Sequence, residues 1–265
     1  MIGLKLIAAV SFGVLLGVSN QTNAADRPPG RSKSARNVAI VLYEGVELLD
    51  FAGPGEVFAA ASRIASVPGS ADPAFNVYTV AISKSPIVSQ GFLKVTPDYS
   101  IEEAPHPDIV VLPGGSSANL TDDARFMTWV KKAIEGAEVT ISVCTGAFVL
   151  AKAGALDGKN ATTWFGATER LRQMVPKATV LDGRRFIDEG RIVTTAGVSA
   201  GIDGALHLVA RLAGRAVADQ TARYMEYHWV AEPYLAQTYS LLNPSLDERG
   251  RASQRAALLE DRRMR

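Results

Sequence analysis

The sequence holds a single cysteine, Cys144, within the run EVTISVCTGAFVLAKAGAL. A lone cysteine is either a buried small hydrophobe or a thiol kept for its reactivity, and the neighbouring residues favour the second. Glu138 to Cys144 is a short apolar run of strand length, and the residues after it carry a helical pattern. A cysteine at the carboxyl end of a buried parallel strand, followed by Thr145-Gly146 and a helix, lies where open α/β sheets bind their ligands. The sharp turn exposes the sulfur. The helix start offers unpaired N–H groups and a positive dipole end, both of which stabilise thiolate over thiol. A lowered thiol pKa is therefore expected.

Two further segments carry groups that such a thiol could use. VVLPGG ends a second apolar run, and Gly114 and Gly115 can bring backbone N–H groups close to a reacting centre. Together with the Thr145 amide they could stabilise negative charge developing on a Cys144 adduct, although most such turns only reverse the chain. YEGVELLDFAGPGEVF carries Glu44, Glu47, Asp50 and Glu56. Glu47 and Glu56 read as solvated loop or helix-start charges. Asp50 stands between Leu48-Leu49 and Phe51-Ala52, so packing should position its side chain, either as a cap for a helix opening at Pro54 or as an acid–base partner. His106, His207 and His228 are scattered, read as structural or surface residues, and give no metal-ligand spacing. No metal or other cofactor is called for.

The elements that must position these residues follow from periodicity. Val38 to Tyr43 is a first strand, with a helix from Pro54, a proline-favoured first-turn position. Phe75 to Ser83 and Asp108 to Gly115 are further strands, and GFLKVTPDYSIEEAP between them reads as strand and loop. Asp122 and Asp123 open an amphipathic helix through RFMTWVKKAI, ahead of the Cys144 strand and its helix. ATVLDGRRFIDEGRIVTTAG reads as an irregular strand pair turning at Asp182-Gly183 and Asp188-Glu189-Gly190, followed by two adjoining helices, VSAGIDGALHLVARLAG and RAVADQTARYMEYHW. Strands alternating with helices predict an α/β fold with a mostly parallel sheet covered on both faces.

The chain has 265 residues, 47% of them hydrophobic, enough for one large core, and its 28 Lys and Arg nearly balance 27 Asp and Glu. No net field draws it to nucleic acid or anionic lipid, and the residues after Trp229 leave no room for a helix-turn-helix unit. Residues 1–24 read as a signal peptide: Lys5, an apolar run from Leu6 to Val18, and small residues at Thr22, Ala24 and Ala25. The run is shorter than the roughly 20 residues of a spanning helix, so no stable membrane anchor is expected after cleavage. Residues 25–36 form a Pro/Gly/Arg/Ser linker, 37–230 the folded domain and 231–265 a charged tail. The expected location is the periplasm or the cell exterior, an oxidising setting in which exported proteins commonly pair their cysteines.

LLDFAGPGEVF, VVLPGG, SVCTGAFVLAKAGALDGKNATTWF and TTAGVSAGIDGALHLV, in that order from Leu48 to Val209, resemble the ThiJ/PfpI superfamily, which is class I glutamine amidotransferase-like. Within it they are most similar to the branch of isonitrile hydratases and the amidase-like N-terminal domains of AraC-type regulators. The resemblance spans roughly Val38 to Tyr227. It implies a flavodoxin-like three-layer sandwich, commonly a homodimer, with Cys144 at a nucleophile elbow, Asp50 as acidic partner, Thr145 beside the nucleophile and Gly115 on the oxyanion side. Members of the branch often read ATTHW where this chain reads ATTWF, so Trp164 takes the place of a histidine and a Cys–His pair is not expected.

A thiolate with a neighbouring carboxylate and no histidine suits addition to a small electrophilic carbon better than amide hydrolysis, which needs an acid for the amine leaving group. The reading is a hydratase acting on a small molecule, turning an isonitrile into an N-substituted formamide. Trp164 and Phe165 are either the apolar lining of its substrate pocket or plain core. The alternatives are glyoxalase-type conversion of a 2-oxoaldehyde and a non-enzymatic ligand-binding or redox-sensing module.

Overall fold

The apolar run near residue 38 becomes β1 (Arg36–Val41), and its last four residues are buried, as a central strand covered on both faces requires. The computed structural model describes residues 35–65, 74–90 and 92–230. The signal peptide, nearly all of the linker and the charged tail lie outside the described residues.

The chain leaves β1 through α1 (Leu48–Ala65) to the parallel strand β2 (Phe75–Ala81), then runs through β3 (Ile87–Val88), β4 (Lys94–Val95) and β5 (Tyr99–Ser100). It returns to the other side of β1 as β6 (Ile109–Leu112), and α2 (Ala118–Asp122) and α3 (Ala124–Gly136) lead to β7 (Val139–Ser142). Asp123 caps α3 as expected, its Oδ1 accepting the N–H groups of Arg125 and Phe126. A tight 3₁₀ turn, Cys144–Gly146, joins β7 to α4 (Ala147–Ala153). There follow β8 (Asn160–Ala161), α5 (Thr168–Met174), β9 (Thr179–Val180), β10 (Phe186–Asp188), β11 (Ile192–Thr195), α6 (Ala200–Ala213) and α7 (Arg215–Tyr224).

The main sheet has the order β10-β11-β7-β6-β1-β2-β5. Every neighbouring pair in it is parallel except the β10–β11 hairpin. Right-handed crossovers that leave β1 and β6 in opposite directions place α1 on one face and α3 and α4 on the other. Helices α6 and α7 pack with α1, which completes a three-layer α/β sandwich. Between β1 and β6 the connections diverge, and that switch point opens a crevice at the carboxyl ends of the strands.

Three expectations are corrected. Helix α1 starts at Leu48, so Pro54 is interior, buried, and part of the face that meets α6. A Cβ on Gly201 of α6 would stand 3.4 Å from the Pro54 ring and 2.9 Å from Val143, which makes the small-residue face of α6 an intrachain packing surface. The predicted strand pair is split: β9 pairs in parallel with β8, and only the turn near Glu189 closes a hairpin, β10–β11. Helix α7 ends at Tyr224, before the predicted Trp229.

Candidate active site

The site is assembled from four connections that leave the carboxyl ends of β1, β6, β7 and β11. After β7, Val143 donates its N–H to the Leu112 carbonyl of β6 at 2.9 Å. The chain then turns so sharply that Cys144 adopts φ 57°, a left-handed conformation costing about 1–2 kcal/mol for a residue other than glycine. Cross-strand bonds hold it there. Its N–H donates to the Ala196 carbonyl at 3.1 Å, and its carbonyl accepts the Thr163 hydroxyl at 2.7 Å. The turn needs glycine at its end, since a Cβ on Gly146 would stand 1.9 Å from the Leu112 oxygen.

Asp50 reaches the sulfur from the first turn of α1 and is wholly buried. Its Oδ2 accepts the Gly114 N–H at 2.9 Å and its Oδ1 the Val198 N–H at 3.1 Å. Neither donor belongs to α1, so Asp50 does not cap its own helix; it ties α1 to the ends of β6 and β11. Burial pushes the Asp50 carboxyl up to about 6, helped by the charge of Glu47 and opposed by the bonds from Gly114, Cys144 and Val198. Among the described residues no cationic side chain pairs with it.

The thiol behaves opposite to expectation. Burial, then the negative charge of Asp50, pushes Cys144 up to about 12, although the Thr145 backbone and side chain beside the sulfur favour thiolate; the Thr145 hydroxyl itself donates to the Gly115 carbonyl at 3.3 Å. Local helix-start geometry is present but outweighed by what the fold places against it. At neutral pH the pair holds one proton, which rests on sulfur while Asp50 is ionised.

The glycines after β6 are likewise committed. Gly114 gives its N–H to Asp50, and Gly115 gives its own to Thr145 Oγ1 at 3.0 Å. In place of free oxyanion donors, they position the carboxylate and the hydroxyl. A Cβ on Gly114 would stand 2.7 Å from Thr145 Oγ1 and 2.8 Å from Asp50 Oδ2, in the gap between the two side chains. Gly115 has φ 124°, and its missing Cβ would lie 2.3 Å from the Gly45 carbonyl.

Trp164 and Phe165 follow Thr163, whose hydroxyl grips the elbow. They are 37% and 61% exposed, with ring centroids 4.9 Å apart. A Cβ on Gly197 would stand 2.4 Å from the indole Cδ1, and one on Gly166 2.4 Å from Cζ3. Two bare glycines thus seat the indole against the segment that binds Asp50. The histidines stay away: His106 lies against Gly136, His207 bonds Asp188 at 2.7 Å, and His228 is exposed. Among the described residues no group of three or more His, Cys, Asp or Glu could hold a metal, and no helix is long and apolar enough to cross a membrane.

Sequence reasoning missed Val198 and Tyr43. Val198 contributes only its backbone N–H, which no residue type advertises. Tyr43 donates its hydroxyl to the Pro113 carbonyl at 3.0 Å, bracing the turn before Gly114.

Comparison with known proteins agrees with this fold. The chain is 31% identical over 194 residues to isonitrile hydratase of Pseudomonas putida, covering 73% of this chain and 79% of that one. It is 25% identical to protein DJ-1alpha of Drosophila melanogaster, covering 82% and 95%. It is 24% identical to the HTH-type transcriptional regulator GbdR of Pseudomonas aeruginosa, where it spans 51% of that protein and the match takes in 73% of this chain. Among solved structures, a ThiJ/PfpI family protein from Pseudomonas syringae superposes with a TM-score of 0.65 at 23% identity, covering 89% and 98% of the two chains. Residues 36–211 match the DJ-1/PfpI family as a whole. With four strand ends converging on Cys144 and a sequence match along most of the folded part, the chain belongs to the DJ-1/PfpI family.

Proposed function

We propose that the protein is a cysteine-dependent hydratase that converts a small isonitrile into an N-substituted formamide. The observation that carries this reading is the Cys144–Asp50 pair: a buried thiol beside a wholly buried carboxylate that, among the described residues, has no cationic partner and is poised near neutrality. A carboxyl group with a pKa of about 6 can take a proton and return it at neutral pH. Without a cation it is not locked in the ionised state.

In the first half-reaction Asp50 takes the Cys144 proton as sulfur attacks the terminal carbon of R–N≡C, and then delivers it to that carbon. A C–S and a C–H bond form, giving the thioimidate R–N=CH–S–Cys. In the second half-reaction Asp50 takes a proton from water as the oxygen attacks the same carbon and the nitrogen is protonated. The tetrahedral R–NH–CH(OH)–S–Cys then breaks its C–S bond, releasing R–NH–CHO and restoring the thiol. The sum is addition of one water to one isonitrile, with no oxidant or reductant. Thr145, whose backbone N–H lies at the sulfur, stabilises sulfur when it carries charge, at attack and at release. The similarity to the Pseudomonas putida hydratase supports this branch, and residues 1–24, read as a signal peptide, favour a reaction outside the cytoplasm.

The test is product analysis with an alkyl isonitrile. Formamide produced by the wild type and not by Cys144→Ala is expected. No formamide from a folded wild-type protein that converts a 2-oxoaldehyde instead would replace this reading with glyoxalase-type chemistry.

A further inference from the structure

Val198, a β-branched residue, has φ 53°, a left-handed conformation that costs about 1–3 kcal/mol and persists only where surrounding structure over-determines it. The segment around it serves both members of the reactive pair. The Ala196 carbonyl accepts the Cys144 N–H at 3.1 Å, and the Val198 N–H reaches Asp50 Oδ1 at 3.1 Å. One residue outside the site grips this segment at both ends. The Arg185 carbonyl accepts the Ala196 N–H at 2.9 Å, while its guanidinium donates from Nη1 and Nη2 to Ser199 Oγ, each at 3.3 Å. The guanidinium is itself held: Nε donates to Asp203 Oδ2 at 2.7 Å, Nη2 bonds the same oxygen, and the Tyr227 hydroxyl donates to Asp203 Oδ1 at 3.1 Å.

We infer that Arg185 is a positioning residue for the Cys144–Asp50 pair, clamping Ala196 to Ser199 so that the strained Val198 presents its N–H to the Asp50 carboxylate. A planar guanidinium can hold Ser199 and Asp203 at once, which a lysine ammonium on a flexible stem does poorly. The inference rests on the reading of Cys144 and Asp50 as the reactive pair, and not on the identity of the substrate. A purely structural Arg185–Asp203 ion pair would stabilise α6 and leave the chemistry of Asp50 untouched. The titratable groups facing Asp50 are Tyr43 and Glu47 from the loop after β1 and Cys144 from the end of β7. Arg185 acts on it only through the Val198 amide, a bond that favours the ionised carboxyl.

The experiment follows Cys144 alkylation by iodoacetamide against pH, with thermal unfolding in parallel, for wild type, Arg185→Ala, Arg185→Lys, Ser199→Ala and Asp50→Asn. The wild-type rate should fall on the acid side as Asp50 takes up its proton, near pH 6. In Arg185→Ala that limb should move up by about one pH unit, the size expected for loss of one hydrogen bond to a charged group. Ser199→Ala should move it less in the same direction, and Arg185→Lys should recover only part of the shift. Profiles for Arg185→Ala and Ser199→Ala that superimpose on the wild type, even with a lower Tm, would overturn the inference. If Arg185→Ala fails to fold, Ser199→Ala decides, because it removes one hydroxyl and no charge. An acid limb that survives in Asp50→Asn would instead remove Asp50 from the reactive pair, which is the separate failure of the underlying reading.

Discussion

Asp50 and Asp188 are both carboxylates held by several hydrogen bonds, yet the protein treats them in opposite ways. Asp188 receives His207 Nε2 at 2.7 Å, Arg211 Nη1 at 2.9 Å on each oxygen and the Gly190 N–H at 2.8 Å. Partial burial pushes its carboxyl up, but the bonds from His207 and Gly190 and the charge of Arg211 win and hold it below its ordinary value. Asp50 receives two backbone amides, has no cation against it among the described residues, and is wholly buried. There burial wins, and the carboxyl rises to about 6. The contrast teaches what to look for in a reactive carboxylate: geometry as firm as that of a structural ion pair, without the countercharge that would fix its protonation.

The largest effect that would sharpen this contrast is on turnover. Asp50→Asn should lower formamide production about 10²–10⁴-fold, the usual range for loss of a general acid–base. Asp188→Asn should leave turnover at the wild-type level and cost at most about 1 kcal/mol of stability, as exposed ion pairs do. Equal losses of activity in the two variants, measured at saturating isonitrile, would break the comparison.

Stability against pH should separate them by sign. A carboxyl raised in the folded state contributes stability that is fully present below its unfolded value near 4 and is lost as pH rises through about 6. For Asp50 that is about 3 kcal/mol, the amount by which the stability of wild type relative to Asp50→Asn should fall between pH 4 and pH 7 in urea unfolding. Asp188 is lowered in the folded state, so its contribution is present above the unfolded value and lost on acidification. A wild-type-minus-Asp50→Asn difference that does not change with pH would show that Asp50 is not desolvated.

The smallest effect concerns backbone strain at the elbow. At φ 57° alanine is as strained as cysteine and glycine is not, so Cys144→Gly should be more stable than Cys144→Ala by about 1 kcal/mol. Equal denaturation midpoints would mean that the turn relaxes once sulfur is removed.

Much of this arrangement was legible in the sequence because its central strands are buried on both faces. Val38 to Val41, Ile109 to Leu112 and Val139 to Ser142 are all buried, so each appears as an unbroken, largely apolar run with no alternation. The elbow cysteine and the aspartate between leucines and phenylalanine were legible for a related reason: polar or reactive groups embedded in apolar runs at strand ends. What stayed hidden was set by other parts of the chain. Pro54 marks a plausible helix start, but the helix begins at Leu48 and buries the proline against α6. The helix-start argument correctly placed the Thr145 amide at the sulfur, yet the thiol shift has the opposite sign because Asp50, almost a hundred residues earlier, is packed against it. Likewise, the Gly114 and Gly115 amides are consumed by Asp50 and Thr145, and Val198 acts through a backbone group that its side chain does not signal.

The most direct test of the account is the intact mass of the protein during turnover of a simple alkyl isonitrile, with peptide mapping of any adduct. Addition of the whole substrate to one thiol leaves the protein heavier by one substrate mass. That species is expected on Cys144 during wild-type turnover, formed far more slowly in Asp50→Asn because Asp50 moves the proton of the first addition as well as the second, and absent from Cys144→Ala. Formamide released with no adduct on Cys144 in any variant, or formamide still made by Cys144→Ala, would contradict it.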